Sequence, residues 1–292
     1  MHLPDPAAEL NAIVRDCTLC PRECHVDRVA GETGACRTGA RARLASSGPH
    51  FGEEPVLVGH GAAGRGSGTI FFSGCNLDCV FCQNCDISHS TAGREVTPGQ
   101  LASVALALAE RGCENINFVT PTHVAHAVAE AVVIARANGL AVPIVYNCGG
   151  YESVETLRRL DGVVDIYMPD FKYADAAAGE KYSGVPGYPE VAAAALAEMY
   201  RQAGALETGA RGVATRGVLV RHLVMPAGIA KSRDVIETVA RAAPGCAINV
   251  MAQYHPAFRA GEFPELLAAP GPGEVASLRQ YAAGLGLRRV DH

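Results

Sequence analysis

Eleven cysteines in 292 residues are the feature of this sequence most able to do chemistry, and eight of them stand in two tight groups. Cys17, Cys20, Cys24 and Cys36 form C-x2-C-x3-C-x11-C, and Cys75, Cys79, Cys82 and Cys85 form C-x3-C-x2-C-x2-C. Cys113, Cys148 and Cys246 stand alone. An isolated cysteine is usually a small buried hydrophobe, and Cys113 and Cys246 are read that way. Packing does not explain two groups of four. Thiolates two or three residues apart converge on a soft ion or an iron–sulfur cluster. All four cysteines of the second group fall on one short loop, whereas structural zinc sites usually tie two hairpins across a longer gap. Binding through Cys75, Cys79 and Cys82 alone leaves one iron of a [4Fe–4S] cluster open to a substrate or cofactor. Cys85 either closes such a cluster or stands beside it as a thiol, and residue chemistry leaves both open. The first group lies in CPRECHVDRVAGETGACRTG, which has no apolar period, so a metal must supply its order. A structural zinc knot and an auxiliary iron–sulfur cluster both suit that spacing, and His25 beside Cys24 is a stand-in ligand.

Composition narrows the setting. The apolar fraction is 49% against 19% charged, which excludes a disordered or fibrous chain. A net charge of −5 gives no electrostatic reason for a nucleic-acid or anionic-membrane partner. No uncharged apolar run approaches a membrane span of about 18 residues. The segment MHLPDPAAELNAIVRDC lacks a basic stretch followed by an apolar one, so no secretory signal is expected. Cysteines kept reduced in the cytoplasm are more often ligands or catalysts than disulfides. A cytoplasmic α/β protein is the expectation.

The elements that position these groups are read from periodicity. Residues 6–15 read as a short helix, and RARLASS and EPVLVGH as two short strands able to form a hairpin. Six apolar runs of strand length follow, at 69–72, 116–119, 144–146, 163–168, 218–225 and 248–251. They alternate with helical segments at 97–111, 123–137, 153–160, 190–202, 232–242 and 273–283, the first opened by Thr97 as N-cap and Pro98 behind it. Alternation implies a parallel sheet with right-handed crossovers, either an open or partial barrel or a doubly wound sheet. The polar strings SGCNLDCVFCQNC, TPTH, NCGGY, PDFKY, MPAG and AQYHP each follow a strand. In parallel α/β folds the active site lies beyond the carboxyl ends of the strands, so the second cysteine group falls within a catalytic mouth. The run from Gly59 to Gly64 matches G-x-G-x-x-G. A strand rather than a helix follows it, so it reads as a connector and not a dinucleotide loop.

At the second cysteine group the sequence resembles a known family. Cys75-Asn-Leu-Asp-Cys79-Val-Phe81-Cys82 is similar to the radical S-adenosylmethionine (SAM) signature, and FFSGCNLDCVFCQN resembles the pyruvate formate-lyase activating enzyme group. The strings LCPREC, HFGEEP, NINFVTPTH, PIVYN, DIYMPDFKY, EMYRQ, VRHLVMPAG and INVMAQY resemble its PflX-like branch. The resemblance implies a partial (β/α)6 barrel over residues 67–292, behind a Cys-rich metal-binding extension over residues 1–66. It implies a [4Fe–4S] cluster on Cys75, Cys79 and Cys82. Bound SAM would be cleaved reductively to a 5′-deoxyadenosyl radical that abstracts hydrogen from substrate. It places SAM contacts on Asn147, Asp170, Lys172, Arg221, Tyr254 and His255, with a guanidinium well suited to the SAM carboxylate. The G-G-E motif of the family is absent. Thr120-Pro121-Thr122-His123 stands there instead, so Thr120 and Thr122 are the expected acceptors for the SAM amino group. Aromatic residues usual at position 85 imply that Cys85 is not a fourth ligand. Cys85, as a radical-capable thiol, and His123, as an acid or base, are the catalytic candidates.

Three functions follow from these readings. The first is activation of a glycyl-radical protein, and the second is radical modification of a small metabolite or peptide. The third, a non-catalytic zinc scaffold, is disfavoured by the polar strings gathered on one rim. A reducing donor such as flavodoxin or ferredoxin is the expected partner, and a protein substrate a possible one. Neither nucleic acid nor membrane is expected to bind.

Overall fold

The computed structural model describes residues 6–59 and 65–290. The helices are α1 (Pro6–Ile13), α2 (Pro55–Val58), α3 (Cys85–Ser88), α4 (Pro98–Glu110), α5 (Ala125–Ala137), α6 (Val154–Arg159), α7 (Ala176–Ser183), α8 (Tyr188–Ala203), α9 (Ser232–Ala242) and α10 (Pro272–Gly284). The strands are β1 (Ala42–His50), β2 (Ser67–Phe72), β3 (Arg94–Val96), β4 (Ile116–Val119), β5 (Ile144–Cys148), β6 (Ile166–Pro169), β7 (Glu207–Thr208), β8 (Ala214–Leu223), β9 (Ala247–Met251) and β10 (Arg288–Arg289).

One sheet runs in the order β10-β9-β8-β6-β5-β4-β2-β1-β3, with β7 paired to β8. From β2 to β10 the neighbours along this path are parallel, while β1 runs antiparallel to both β2 and β3. Six of these parallel strands are the six read from the sequence, in the same order. The path ends at β3 and β10 rather than closing, the open form of a partial barrel. Strands β4, β5 and β6 are buried on both faces, as a parallel sheet covered by helices requires. Helix α4 starts where expected. The Thr97 hydroxyl accepts from the Gln100 amide at 3.2 Å, and the Gln100 side chain accepts from the Thr97 amide at 2.9 Å.

Two local expectations are corrected. EPVLVGH is not a strand: residues 55–58 form the single turn α2, and β1 makes its hairpin with β2 instead. A short apolar run carries no period to decide between helix and strand, and Pro55 suits the first turn of a helix. The turn buries Leu57 against Val145, Ile166, Met168, Leu219 and Ala247, which closes the barrel interior away from the carboxyl ends of the strands. Helix α7, unread in the sequence, precedes α8 and ends at Gly184 in the left-handed region. The G-x-G-x-x-G run lies mostly outside the described residues; Gly59 ends α2, and the chain from Arg65 enters β2.

Candidate active site and metal-binding loop

Beyond the carboxyl ends of the strands lies a cavity of about 280 Å³, near the lower size of a small-molecule site. Cys75, Cys79 and Cys82 form one wall, on the loop that follows β2. That loop is held by its main chain. The Asp78 and Val80 amides donate to the Ser183 and Tyr182 carbonyls, both at 2.9 Å, and Asn76 Nδ2 donates to the Tyr151 carbonyl at 2.7 Å. Gly74 turns the chain into the loop with φ +84°, and a Cβ there would stand 2.6 Å from the Cys36 carbonyl oxygen. Phe81, the aromatic before the third cysteine, packs edge-on to Tyr173 and tilted on Tyr254, with centroids 6.5 and 6.2 Å away.

Each of the three sulfurs meets a hydrogen-bonding group. The Leu77 amide donates to Cys75 Sγ at 3.4 Å, while hydrogen bonds that the serine hydroxyl can donate join Ser183 to Cys79 Sγ at 3.0 Å and Ser88 to Cys82 Sγ at 3.1 Å. Tyr173 Oη lies 2.9 Å from Ser183 Oγ and extends the hydrogen-bonded chain from Cys79. Burial pushes the Cys79 thiol up to about 11, against the pull of Lys172 and Ser183. The Cys75 thiol is pushed up by burial and by the neighbouring Cys79 and Cys82. Three thiols on one wall, one buried and two half-buried, each with a hydrogen-bonding group at its sulfur, are a donor set for a cationic cluster.

The facing wall carries charge. Asp170, after β6, accepts from Lys172 Nζ at 2.7 Å and from Arg221 Nε, on β8, at 3.1 Å. Arg221 Nη2 donates to Asn147 Oδ1, on β5, at 2.7 Å. About a fifth of the Asp170, Lys172 and Arg221 side chains is exposed. Burial opposes the Asp170 carboxylate, but Lys172 and Arg221 outweigh it and hold the group below its usual range. Burial likewise opposes the Lys172 ammonium, and Asp170 and Cys79 hold it charged well above its usual range.

Asn147, Asp170, Lys172, Arg221 and Thr120 thus join the three cysteines around one cavity. Thr120 adopts φ +58°, a strained conformation for a β-branched residue and one that collects at functional sites. The remaining expectations fall elsewhere. Thr122 is buried and donates to Glu152 Oε1 at 2.6 Å. His123 turns behind the loop, where Nε2 donates to the Ser73 carbonyl at 2.9 Å, and burial lowers it to about 3, so it stays neutral. Tyr254 spends its hydroxyl on the Leu266 carbonyl at 2.7 Å, and His255 is exposed at the rim, with Nδ1 3.2 Å from Gln83 Nε2. Cys85 opens α3, half-buried, while its neighbours Asn84 and Ser88 line the cavity. His25, exposed, pairs with Asp16 rather than with a thiol.

Residues missed from the sequence include Ser88, Ser183 and Cys148, the last of which lines the cavity. They also include Glu53 and Glu54 from the turn before α2. Glu53 Oε2 lies 3.5 Å from Arg221 Nη1, and Glu54 Oε1 accepts from Asn249 Nδ2 at 3.0 Å. The string HFGEEP was visible, but nothing in it showed that both carboxylates turn into the barrel.

The radical SAM superfamily pattern matches residues 69–219, just over half of the chain, and takes in the cysteine loop, Asn147, Asp170 and Lys172, ending two residues before Arg221. The chain belongs to the radical SAM superfamily. Membership carries with it a [4Fe–4S] cluster and SAM, and the thiol set and the charged pocket facing it fit both. Among curated proteins, the uncharacterized protein MJ0674 of Methanocaldococcus jannaschii is 29% identical over 262 residues, covering 87% of this chain and 70% of the relative. Among solved structures, a radical SAM methyltransferase from Sphaerobacter thermophilus matches with a TM-score of 0.53 at 18% identity, over 77% of this chain and 66% of that one. At that identity the likeness is one of fold. No helix among the described residues is long and apolar enough to cross a membrane.

Proposed function

We propose that this radical SAM protein holds SAM between the cysteine loop and the Asn147–Asp170–Lys172–Arg221 wall and abstracts hydrogen from a partner polypeptide, in the manner of the glycyl-radical activating enzymes that its motifs resemble. When bound, the cluster and SAM supply one-electron cleavage of the sulfonium and, from it, hydrogen abstraction. The residues of the chain bind and orient. Cys75, Cys79 and Cys82 would hold the cluster through their thiolates, to which the Leu77 amide, Ser88 and Ser183 could then donate. Lys172 spends one of its three donors on Asp170, which leaves two for the SAM carboxylate. Arg221 adds a second cation, aligned by Asp170 and Asn147. Thr120 offers its hydroxyl and carbonyl where the G-G-E motif is missing.

The single observation that carries the SAM site is that three cysteines and a Lys–Asp–Arg–Asn cluster line one cavity. A polypeptide substrate is supported by the rim, where Gln83, Asn84, Gln253 and His255 are exposed and Phe258 stacks on His89 while still 45% exposed. A reduced flavodoxin or ferredoxin would deliver the electron. The test is anaerobic incubation with SAM, reductant and a candidate glycyl-radical protein, followed by electron paramagnetic resonance. A stable organic radical on the partner, dependent on Lys172, supports the reading. SAM turnover that is stimulated only by a small metabolite or short peptide overturns the activase assignment and leaves modification of that compound as the function.

A further inference from the structure

The four cysteines that precede the barrel surround a second void, which Cys17, Cys20, Cys24, Cys36, Arg28 and His123 line together. Three of the cysteines are buried and Cys24 is half-buried. Gly34 is pressed so closely against this group that a Cβ there would stand 2.7 Å from Cys24 Sγ. The four cysteines thus line one small void although they span twenty residues of chain without helix or strand.

Arg28 bears on what that void can hold. Arg28 is 2% exposed, yet among the described residues its hydrogen-bond partners are two carbonyls and a thiol rather than a carboxylate. Nε and Nη2 both donate to the Gly39 carbonyl, at 3.0 and 2.5 Å, and Nη1 donates to the His123 carbonyl at 2.8 Å, while Nη1 also lies 3.8 Å from Cys17 Sγ. A guanidinium taken out of water needs an anion beside it. Four neutral thiols do not provide one. Four thiolates on a zinc ion or on an oxidised iron–sulfur core carry a net negative charge next to Arg28. His123 adds a buried Nδ1 without a partner on the same wall.

The group also touches the catalytic loop. The Cys36 carbonyl and Thr38 Oγ1 close on Gly74, the residue before Cys75. Arg22 Nε donates to the Asn76 carbonyl at 2.8 Å, and Arg37 Nη2 lies 3.0 Å from Asp78 Oδ1. We propose that Cys17, Cys20, Cys24 and Cys36 bind a second metal centre through thiolates, with Arg28 as its buried counter-ion, and that this centre braces the loop carrying Cys75, Cys79 and Cys82.

The test does not depend on the radical chemistry. The variant Cys75→Ala/Cys79→Ala/Cys82→Ala, purified anaerobically, is analysed for iron, acid-labile sulfide and zinc. The expected result is retained metal, either about four irons with sulfide or about one zinc per chain, which identifies the centre and which is lost when Cys17→Ser and Cys36→Ser are added. A folded triple variant free of metal overturns the proposal. Should the triple variant not fold, Cys17→Ser/Cys36→Ser in the otherwise native chain is compared with wild type. Loss of one centre with the first cluster retained supports the proposal, and equal metal content overturns it. Arg28→Gln keeps every ligand, and its metal is expected to be held about 10–100-fold more weakly against a chelator, whereas unchanged retention removes the counter-ion role.

Discussion

Replacing Asp170 by asparagine is expected to lower the melting temperature of the loaded protein by about 6–20 °C. The carboxylate sits between two cations, 2.7 Å from Lys172 Nζ and 3.1 Å from Arg221 Nε, and about a fifth of each of the three side chains is exposed. Asparagine keeps the shape and an acceptor but leaves two largely buried positive charges facing each other. Breaking a buried pair from one side costs about 3–5 kcal/mol. A domain of this size loses about 2–4 °C per kcal/mol, which gives the range above. The same change removes the group that aligns Lys172 and Arg221, so SAM affinity is expected to fall at least about tenfold, or ~1.4 kcal/mol. Differential scanning calorimetry and titration calorimetry under anaerobic conditions read the two effects. Adding Lys172→Met to the variant is expected to recover much of the stability, because one of the stranded charges is then gone. A melting point within about 2 °C of wild type for Asp170→Asn, or strictly additive losses in the double variant, would refute the reasoning.

Three further outcomes follow from the same geometry. Glu152, bonded to Thr122 and Tyr146, is pushed by burial from 4.5 to about 7. The fold therefore holds an extra proton between those values, and stability falls as pH rises through them, by about 3 kcal/mol in all. In urea titrations from about pH 5 to 8, Glu152→Gln is expected to lose this dependence and to gain on wild type at the alkaline end, whereas parallel profiles would count against it. Gly74→Ala would drive a Cβ to 2.6 Å from both the Cys36 carbonyl oxygen and Thr38 Oγ1 at φ +84°. A cost of about 1–3 kcal/mol and reduced iron loading are expected, by calorimetry and iron analysis. Ser183→Ala removes the donor to Cys79 Sγ, so the cluster potential is expected to drop by about 40 mV, taking about 1 kcal/mol for the lost bond, as read by a redox titration.

The parallel strands and the placing of polar strings beyond them were legible because strand runs and helical periods alternate along the chain, and that alternation permits few topologies. Cys75, Cys79 and Cys82 declare themselves by spacing, whereas Asp170, Lys172 and Arg221 were expected only through the resemblance of DIYMPDFKY and VRHLVMPAG to a known family. Facing direction was less accessible. Thr120 and Thr122 are two residues apart, yet one lines the cavity and the other bonds Glu152, because the positive φ of Thr120 reverses the chain between them. His123 is carried behind the loop by the same turn. The Glu53–Arg221 and Glu54–Asn249 contacts join residues 168 and 195 positions apart, and no local pattern encodes them. Ser183 was invisible for a similar reason: its role comes from the end of α7 packing on the cysteine loop, and a serine in AAAGEKYS carries no mark of it.

The central claim is that the cavity between the cysteine loop and the charged wall binds and cleaves SAM. The most direct test reconstitutes the protein anaerobically with iron and sulfide, adds SAM and dithionite, and measures 5′-deoxyadenosine in wild type and in Cys79→Ala. Production of 5′-deoxyadenosine by wild type, lost in the variant, is the predicted result. A protein that takes up only zinc and leaves SAM intact would contradict the account.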